Sequence, residues 1–103
     1  MIEQEQPVEV YREVSEAVAG LPFVAQTDEA VSYWSVTAPG EQSAQIDLGD
    51  YYATLVLAVA KRFPVPLLLP MVLRDMVQAG TFTGVEAGFL ARIASAARSG
   101  SMD

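Results

Sequence analysis

Apolar residues recur every three or four positions in four stretches of the chain, the spacing of helices that bury one face. Pro7 suits a first helical turn, and Gly20 followed by Pro22 ends the first helix. The four predicted helices run over Pro7 to Ala19, Leu48 to Phe63, Val65 to Ala79, and from a cap at Thr83 to Gly100. The pattern therefore predicts a mostly helical protein whose helices share one core.

Between the first two predicted helices, the run AVSYWSVT, Ala30 to Thr37, has the β-branched and aromatic composition of a strand. Pro39 and Gly40 fit the centre of a type II turn. Ser43 to Ile46 is interpreted as a second strand, with a helix beginning at Ser43 as the competing interpretation. The strand interpretation gives an N-terminal helix, a short β-hairpin and three packed helices, which is an α-rich α+β fold.

Two predicted helices begin with capping residues, and one carries closely spaced glycines. Asp47 is placed to cap the second helix, and Thr83 with Glu86 three residues later forms a capping box for the last one. Gly84 and Gly88 lie four residues apart, which lets another helix approach closely. That approach is expected either within the domain or across a dimer.

The composition limits both the domain count and the chemistry. With 103 residues, of which 51% are hydrophobic, the chain can form one domain with its own core. We expect a frayed terminus over residues 1–6, one globular domain over 7–100 and a tail over 101–103. The sequence contains no cysteine and no histidine, which removes thiolate and imidazole chemistry and the usual transition-metal ligands. The prediction is a non-catalytic protein without cofactor or metal.

Charge is unevenly distributed along this chain of net charge −7. Residues 1–50 hold ten acidic and one basic residue, net −9, whereas residues 51–103 hold three acidic and five basic, net +2. Such a balance disfavours direct binding to nucleic acid or anionic membranes, and it attracts a basic protein partner. The first residues lack the basic and apolar segments of a signal peptide, so we expect a cytoplasmic protein.

The most apolar stretch, AKRFPVPLLLPMVLRD, runs from Ala60 to Asp75. Charges flank it, prolines interrupt it and it is too short to span a bilayer, so it predicts a corner between two core-facing helices. Leu67, Leu68 and Leu69 are consecutive and cannot all point inward on one helix. We expect Leu68 in particular to be exposed, where it would contribute to a docking site or a homodimer contact.

Two further features are candidates for partner binding. Glu9, Glu13 and Glu16 share one face of the first predicted helix, as a docking strip for a basic partner or as a solvated face. The only tryptophan, Trp34, would be a binding hot spot if exposed and a core anchor if buried. A helix face of glutamates is more often only solvated, and a single tryptophan is more often a core anchor.

The sequence favours a small acidic interaction module of the inhibitor, immunity or adaptor type. An alternative is a structural homo-oligomer that uses the Leu67 to Leu69 corner or the last helix, and a third hypothesis is a small-ligand binding protein or enzyme. The candidate partner-binding residues are Glu9, Glu13, Glu16, Trp34, Leu67 and Leu68.

Overall fold

The computed structural model describes residues 5–63 and 66–99, with side chains from residue 12 onward. The chain is mostly helical, with one small antiparallel sheet among these residues, which confirms the helical part of the predicted fold. The elements are α1 (Glu5–Ala19), β1 (Ala25–Gln26), β2 (Val31–Ser32), α2 (Gln42–Arg62), α3 (Leu68–Ala79) and α4 (Gly84–Ser99).

The β-hairpin lies earlier in the chain than the sequence predicts. β1 pairs with β2, and the connection between them is held by Thr27, whose hydroxyl donates to the carbonyl oxygen of Ala30 at 3.1 Å. The same hydroxyl accepts a hydrogen bond from the Ala30 N–H, also at 3.1 Å. A side chain that bonds to its own turn in this way stabilises the hairpin without a Pro-Gly turn.

Residues 33–41 follow β2 without regular structure, so the strand predicted over Ala30 to Thr37 is wrong beyond β2. The Tyr33 N–H donates to Asp75 Oδ2 of α3 at 2.8 Å, and the Ser35 N–H donates to the carbonyl oxygen of Phe23 at 2.7 Å. These bonds satisfy the backbone without a neighbouring strand. The bond from Tyr33 is also the largest cause that holds the pKa of Asp75 below its ordinary value.

The second predicted strand, Ser43 to Ile46, is wrong, and the competing helix interpretation is correct, because α2 begins at Gln42. Asp47 lies inside α2 and does not cap it. Glu41 occupies the cap position, and its side chain makes no capping hydrogen bond. The chain therefore enters α2 directly from the irregular segment, which shortens the connection that the sequence predicts.

Gln45 gives a structural reason for the early start of α2. Its side-chain nitrogen donates to the carbonyl oxygen of Pro39 at 2.6 Å, and its side-chain oxygen accepts from the Gly84 N–H at 2.8 Å. One side chain thus ties the irregular segment to the first turn of α4.

α2 and α4 run in the same direction and pack against each other through buried glycines. A Cβ atom on Gly88 would collide with the carbonyl oxygen of Ile46 and lie 2.9 Å from its carbonyl carbon. A Cβ atom on Gly49 would collide with the carbonyl oxygen of Val85 and lie 2.8 Å from its carbonyl carbon. The predicted close approach at Gly88 is therefore confirmed, and it occurs within the domain.

The core that these helices cover is rich in aromatic side chains. The ring centre of Phe23 lies 5.4 Å from that of Trp34 and 5.0 Å from that of Tyr52. Trp34 also contacts Phe89 of α4 edge-on, with ring centres 5.0 Å apart. Such tilted and edge-on pairs add to the free energy of burying the rings. The irregular segment is thereby fastened to α2 and α4 through Trp34.

α3 ends at Gly80, as the sequence predicts, and Gly80 adopts a left-handed conformation with φ of 76°. We expect Gly80→Ala to lower the free energy of unfolding by about 1–2 kcal/mol, because a side chain is strained there. Gly40→Ala is the matched control, since φ is not positive and no atom lies within 4 Å of the added carbon. Urea denaturation of both variants checks the prediction, and equal losses would contradict it.

Candidate functional site

Exposed carboxylates dominate the surface of residues 12–50. Glu13 and Glu16 of the predicted strip on α1 are exposed, whereas the side chain of Glu9 lies outside the described residues. Six exposed carboxylates have no cationic partner among the side chains that the structure describes: Glu13, Glu16, Asp28, Glu29, Glu41 and Asp47. We refer to these six residues as the acidic set.

The remaining described carboxylates are satisfied within the fold. Asp50 Oδ1 of α2 accepts from Arg92 Nε of α4 at 2.7 Å, in a half-exposed ion pair that crosses the helix interface. Asp75 accepts from Arg74 at 3.0 Å as well as from the Tyr33 backbone. The third, Glu86, lies in the core. Unpaired negative charge is therefore confined to the acidic set in this part of the chain.

Glu86 is buried, at 3% exposure, and both of its carboxylate oxygens accept hydrogen bonds. Oε1 accepts from the N–H and the hydroxyl of Thr83 at 2.6 and 2.7 Å, and Oε2 accepts from Trp34 Nε1 at 2.8 Å. The Thr83 hydroxyl also accepts from the Val85 N–H at 3.2 Å, which confirms the predicted capping box. The bond to Trp34 was not predicted, because local spacing gives no signal for a partner 52 residues away.

The protonation of Glu86 follows from these contacts. Burial raises the pKa of its carboxyl, but the hydrogen bonds from Thr83, from Trp34 and from its own backbone outweigh that effect. The pKa therefore lies below the ordinary value of 4.5. Glu86 is a charged structural group at neutral pH, and its hydrogen bonds to Thr83 and Trp34 leave it unsuited to act as a general acid.

Trp34 belongs to the core. It is 4% exposed and lies among Phe23, Tyr52 and Phe89 with its indole N–H on Glu86. The role of a binding hot spot requires an exposed ring, which this conformation does not offer. The alternative interpretation, a core anchor, agrees with the structure.

The expectation that Leu68 is exposed is wrong, and Leu67 is the exposed residue instead. Leu68 is 2% exposed because it begins α3 on the core-facing side, whereas Leu67 precedes the helix and is 65% exposed. Leu69 is partly buried against the core. The apolar corner thus presents one leucine to solvent. Pro66 and Pro70 on either side of it are exposed as well.

A second apolar surface lies between α3 and α4, and it includes a residue of the last helix, which the homo-oligomer hypothesis named as a possible contact. It is a groove of about 450 Å³, which we call the α3–α4 groove, lined by Leu73, Met76, Val77, Gly80, Thr81, Phe82 and Leu90. Val77 is 77% exposed and Phe82 is 67% exposed. The available signal was Phe82 just before the Thr83 cap, outside any predicted helix.

A second hollow, of about 310 Å³, lies between the C-terminal halves of α2 and α4. Lys61 and Arg92 line it, together with Thr54, Ser95 and Ser99. Both helices end on this side, so the negative ends of two helix dipoles come together, and nearby cations offset them. An anionic ligand would meet the same dipole ends. Lys61 lies in the last turn of α2 and offsets that dipole, whereas Arg92 lies in mid-helix and pairs with Asp50.

The described part of the chain shows no cluster of side chains typical of a metal centre. No group of three or more potential ligand residues is placed to hold a metal ion there, and every buried side-chain nitrogen or oxygen in it has a hydrogen-bond partner. None of the helices over residues 5–63 and 66–99 has the length and apolar character that a membrane crossing requires. Comparisons with protein-family models, curated proteins and solved structures gave no match to the chain.

Proposed function

We propose that this protein is a small, non-catalytic interaction module that binds a basic protein partner through its acidic set. Inhibitors, immunity proteins and adaptor subunits act in this way. One observation carries the proposal: the six exposed carboxylates of the acidic set have no cationic partner among the described side chains, while Asp50, Asp75 and Glu86 are satisfied within the fold. Unpaired surface charge of one sign steers an oppositely charged partner and raises its association rate.

The separation of acids from bases along the chain supports the proposal. A net negative charge also favours solubility, but solubility is served best when both signs of charge are interspersed. Here Arg12 is the only basic residue in the first half of the chain. The negative electrostatic field of the acidic set is therefore not weakened by further basic residues among residues 12–50. Glu13 and Glu16 lie on α1, whereas Asp28 and Glu29 lie in the hairpin turn, so two distinct segments contribute to that field.

The proposal includes the finer layout of the domain. In it, α1 is the N-terminal helix of an α-rich α+β fold and packs on the core, with Glu13 and Glu16 left in solvent. Val18 of α1, which is partly buried against the core cluster, supports this placement. Glu9 of the predicted strip is then expected to extend the same acidic face.

Salt-graded affinity capture from the source organism's lysate, followed by mass spectrometry, identifies the partner. We expect a basic protein that is retained at low salt and lost at high salt, because salt screens exposed charges. Titration calorimetry with the purified partner then compares Glu13→Gln/Glu16→Gln with Asp28→Asn/Glu29→Gln. Both double variants change the net charge by the same amount, so they are matched controls for each other.

The pair that contacts the partner is expected to weaken binding about tenfold, and the other pair only about twofold through the long-range field. Circular dichroism checks that both variants keep the fold. If neither pair changes the affinity, not even through the long-range field, the charge of α1 and of the hairpin turn does not attract the partner and the proposed function is wrong.

A further inference from the structure

We propose that the α3–α4 groove is a self-association surface, in which Phe82 of each copy packs between α3 and α4 of a second copy. This inference goes beyond the proposed function and does not depend on it, because the groove contains no residue of the acidic set. Three observations support it: the exposure of its apolar residues, the way the groove forms, and the distribution of charge.

The groove leaves large apolar side chains in water in a single chain. Val77 and Phe82 are more than half exposed, and the partly buried Leu73 and Leu90 continue the same surface inward. A contiguous apolar patch of this kind marks a contact surface more often than scattered single residues do. Leu67, by contrast, is exposed outside the groove and does not line it.

The local structure explains why Phe82 points outward. Phe82 directly precedes the Thr83 cap, where an apolar side chain normally packs against the fourth residue of the helix. In α4 that residue is Ala87, which has only a methyl group to offer. The ring therefore remains 67% exposed beside the hollow that it borders. In a two-fold contact the same patch of both copies meets, so the ring of each copy would pack against the groove of the other.

If two copies of the chain associate, electrostatic repulsion is smaller at this groove than at the acidic surface of residues 12–50. Each copy carries a net charge of −7, so contact through residues 12–50 would bring unpaired carboxylates together. None of the residues that line the groove is charged. The two carboxylates of residues 66–99, Asp75 and Glu86, are both satisfied within the fold. Two copies can therefore join here without opposing exposed acids.

Sedimentation equilibrium of the purified chain, over a wide concentration range and at low and high salt, tests the proposal. We expect a reversible dimer that becomes tighter as salt rises, because salt screens the repulsion between two acidic chains. Phe82→Ser and Val77→Glu are each expected to raise the dimer dissociation constant at least about tenfold. Leu67→Ser is the matched control, an equally exposed apolar residue outside the groove, and should leave the constant unchanged.

All three substituted side chains are exposed, so circular dichroism and thermal unfolding should show an intact fold for each variant. A wild-type chain that stays monomeric at high salt overturns the proposal, and so does a dimer that survives both Phe82→Ser and Val77→Glu. A dimer lost equally with Leu67→Ser overturns the assignment to the groove. If the chain is monomeric and Phe82→Ser instead reduces capture of the basic partner, the groove binds that partner and not a second copy.

Discussion

Replacing Gly88 with alanine is expected to destabilise the domain by about 2–4 kcal/mol and to lower Tm by about 10–20 °C. The added carbon would collide with the carbonyl of Ile46 in α2, which is backbone and cannot move aside as a flexible side chain can. α2 and α4 must then separate, and the aromatic core between them loses contacts. The better helix propensity of alanine, about 1 kcal/mol, offsets only part of this loss.

Thermal and urea unfolding of three variants separates this effect from a general glycine effect. Gly49→Ala should show a similar loss, because its added carbon would collide with the carbonyl of Val85 across the same interface. The two losses should be less than additive when combined, since the first substitution already separates the helices. Gly40→Ala should be close to neutral, because nothing lies within 4 Å of the new carbon. A Gly88→Ala variant more stable than wild type would contradict the close packing of α2 and α4.

The helices were predictable because their signals are local. Apolar spacing along α2 and α4, Gly80 at the end of α3 and the Thr83 cap with Glu86 all lie within a few residues of the feature that they specify. The spacing of Gly84 and Gly88 also predicted a close helix approach. It did not show that the neighbouring helix was α2, because that depends on residues some forty positions away.

The errors lie where distant contacts decide the local structure. The run Ala30 to Thr37 has the composition of a strand, but the Tyr33 and Ser35 N–H groups bond to Asp75 and to Phe23 and not to a neighbouring strand. Residues 43–46 belong to α2, and Gln45 there bonds to the distant Gly84. Neither contact has a signature in the spacing of nearby residues.

The sequence predicted that there would be an acidic surface and an apolar surface, but it did not predict the position of the apolar one. Charge counts alone placed the unpaired acids in the first half of the chain, where Glu13 and Glu16 are exposed. An apolar contact surface was expected at the Leu67 to Leu69 corner or on the last helix, but neither expectation included Phe82, which borders the α3–α4 groove. Which leucine of a consecutive run is buried depends on the residue at which α3 begins, and helix ends are difficult to place from sequence.

Replacing Glu86 with glutamine is expected to lower the free energy of unfolding by about 2–3 kcal/mol. The carboxylate accepts three hydrogen bonds, from Trp34 and twice from Thr83, and it does so in the core. A glutamine keeps the shape but turns one acceptor into a donor that faces another donor. Either the indole N–H of Trp34 or the capping bonds of Thr83 must then lose their partner.

The loss should depend on pH in a direction that the contacts determine. The pKa of Glu86 is lowered in the folded protein, so its ionised form stabilises the fold fully above the ordinary value of 4.5. That contribution is lost as the pH falls from 4.5 through the lowered folded pKa. The difference in unfolding free energy between wild type and Glu86→Gln should therefore shrink on acidification. The wild-type protein also loses stability on acidification through Asp75, whose pKa is lowered too. The variant keeps Asp75, so this loss is the same in both proteins.

Urea unfolding at several pH values, combined with a double-mutant cycle, tests the role of Glu86 directly. Trp34→Phe removes the indole N–H, so the double variant should lose less stability than the two single losses together. Glu29→Gln, an exposed acid in the hairpin turn, is the control and should stay within about 0.5 kcal/mol of wild type at every pH. Strict additivity in the cycle would show that Glu86 and Trp34 do not interact. A Glu86→Gln loss that stays constant from neutral pH to well below 4.5 would show that the carboxylate charge does not stabilise the core.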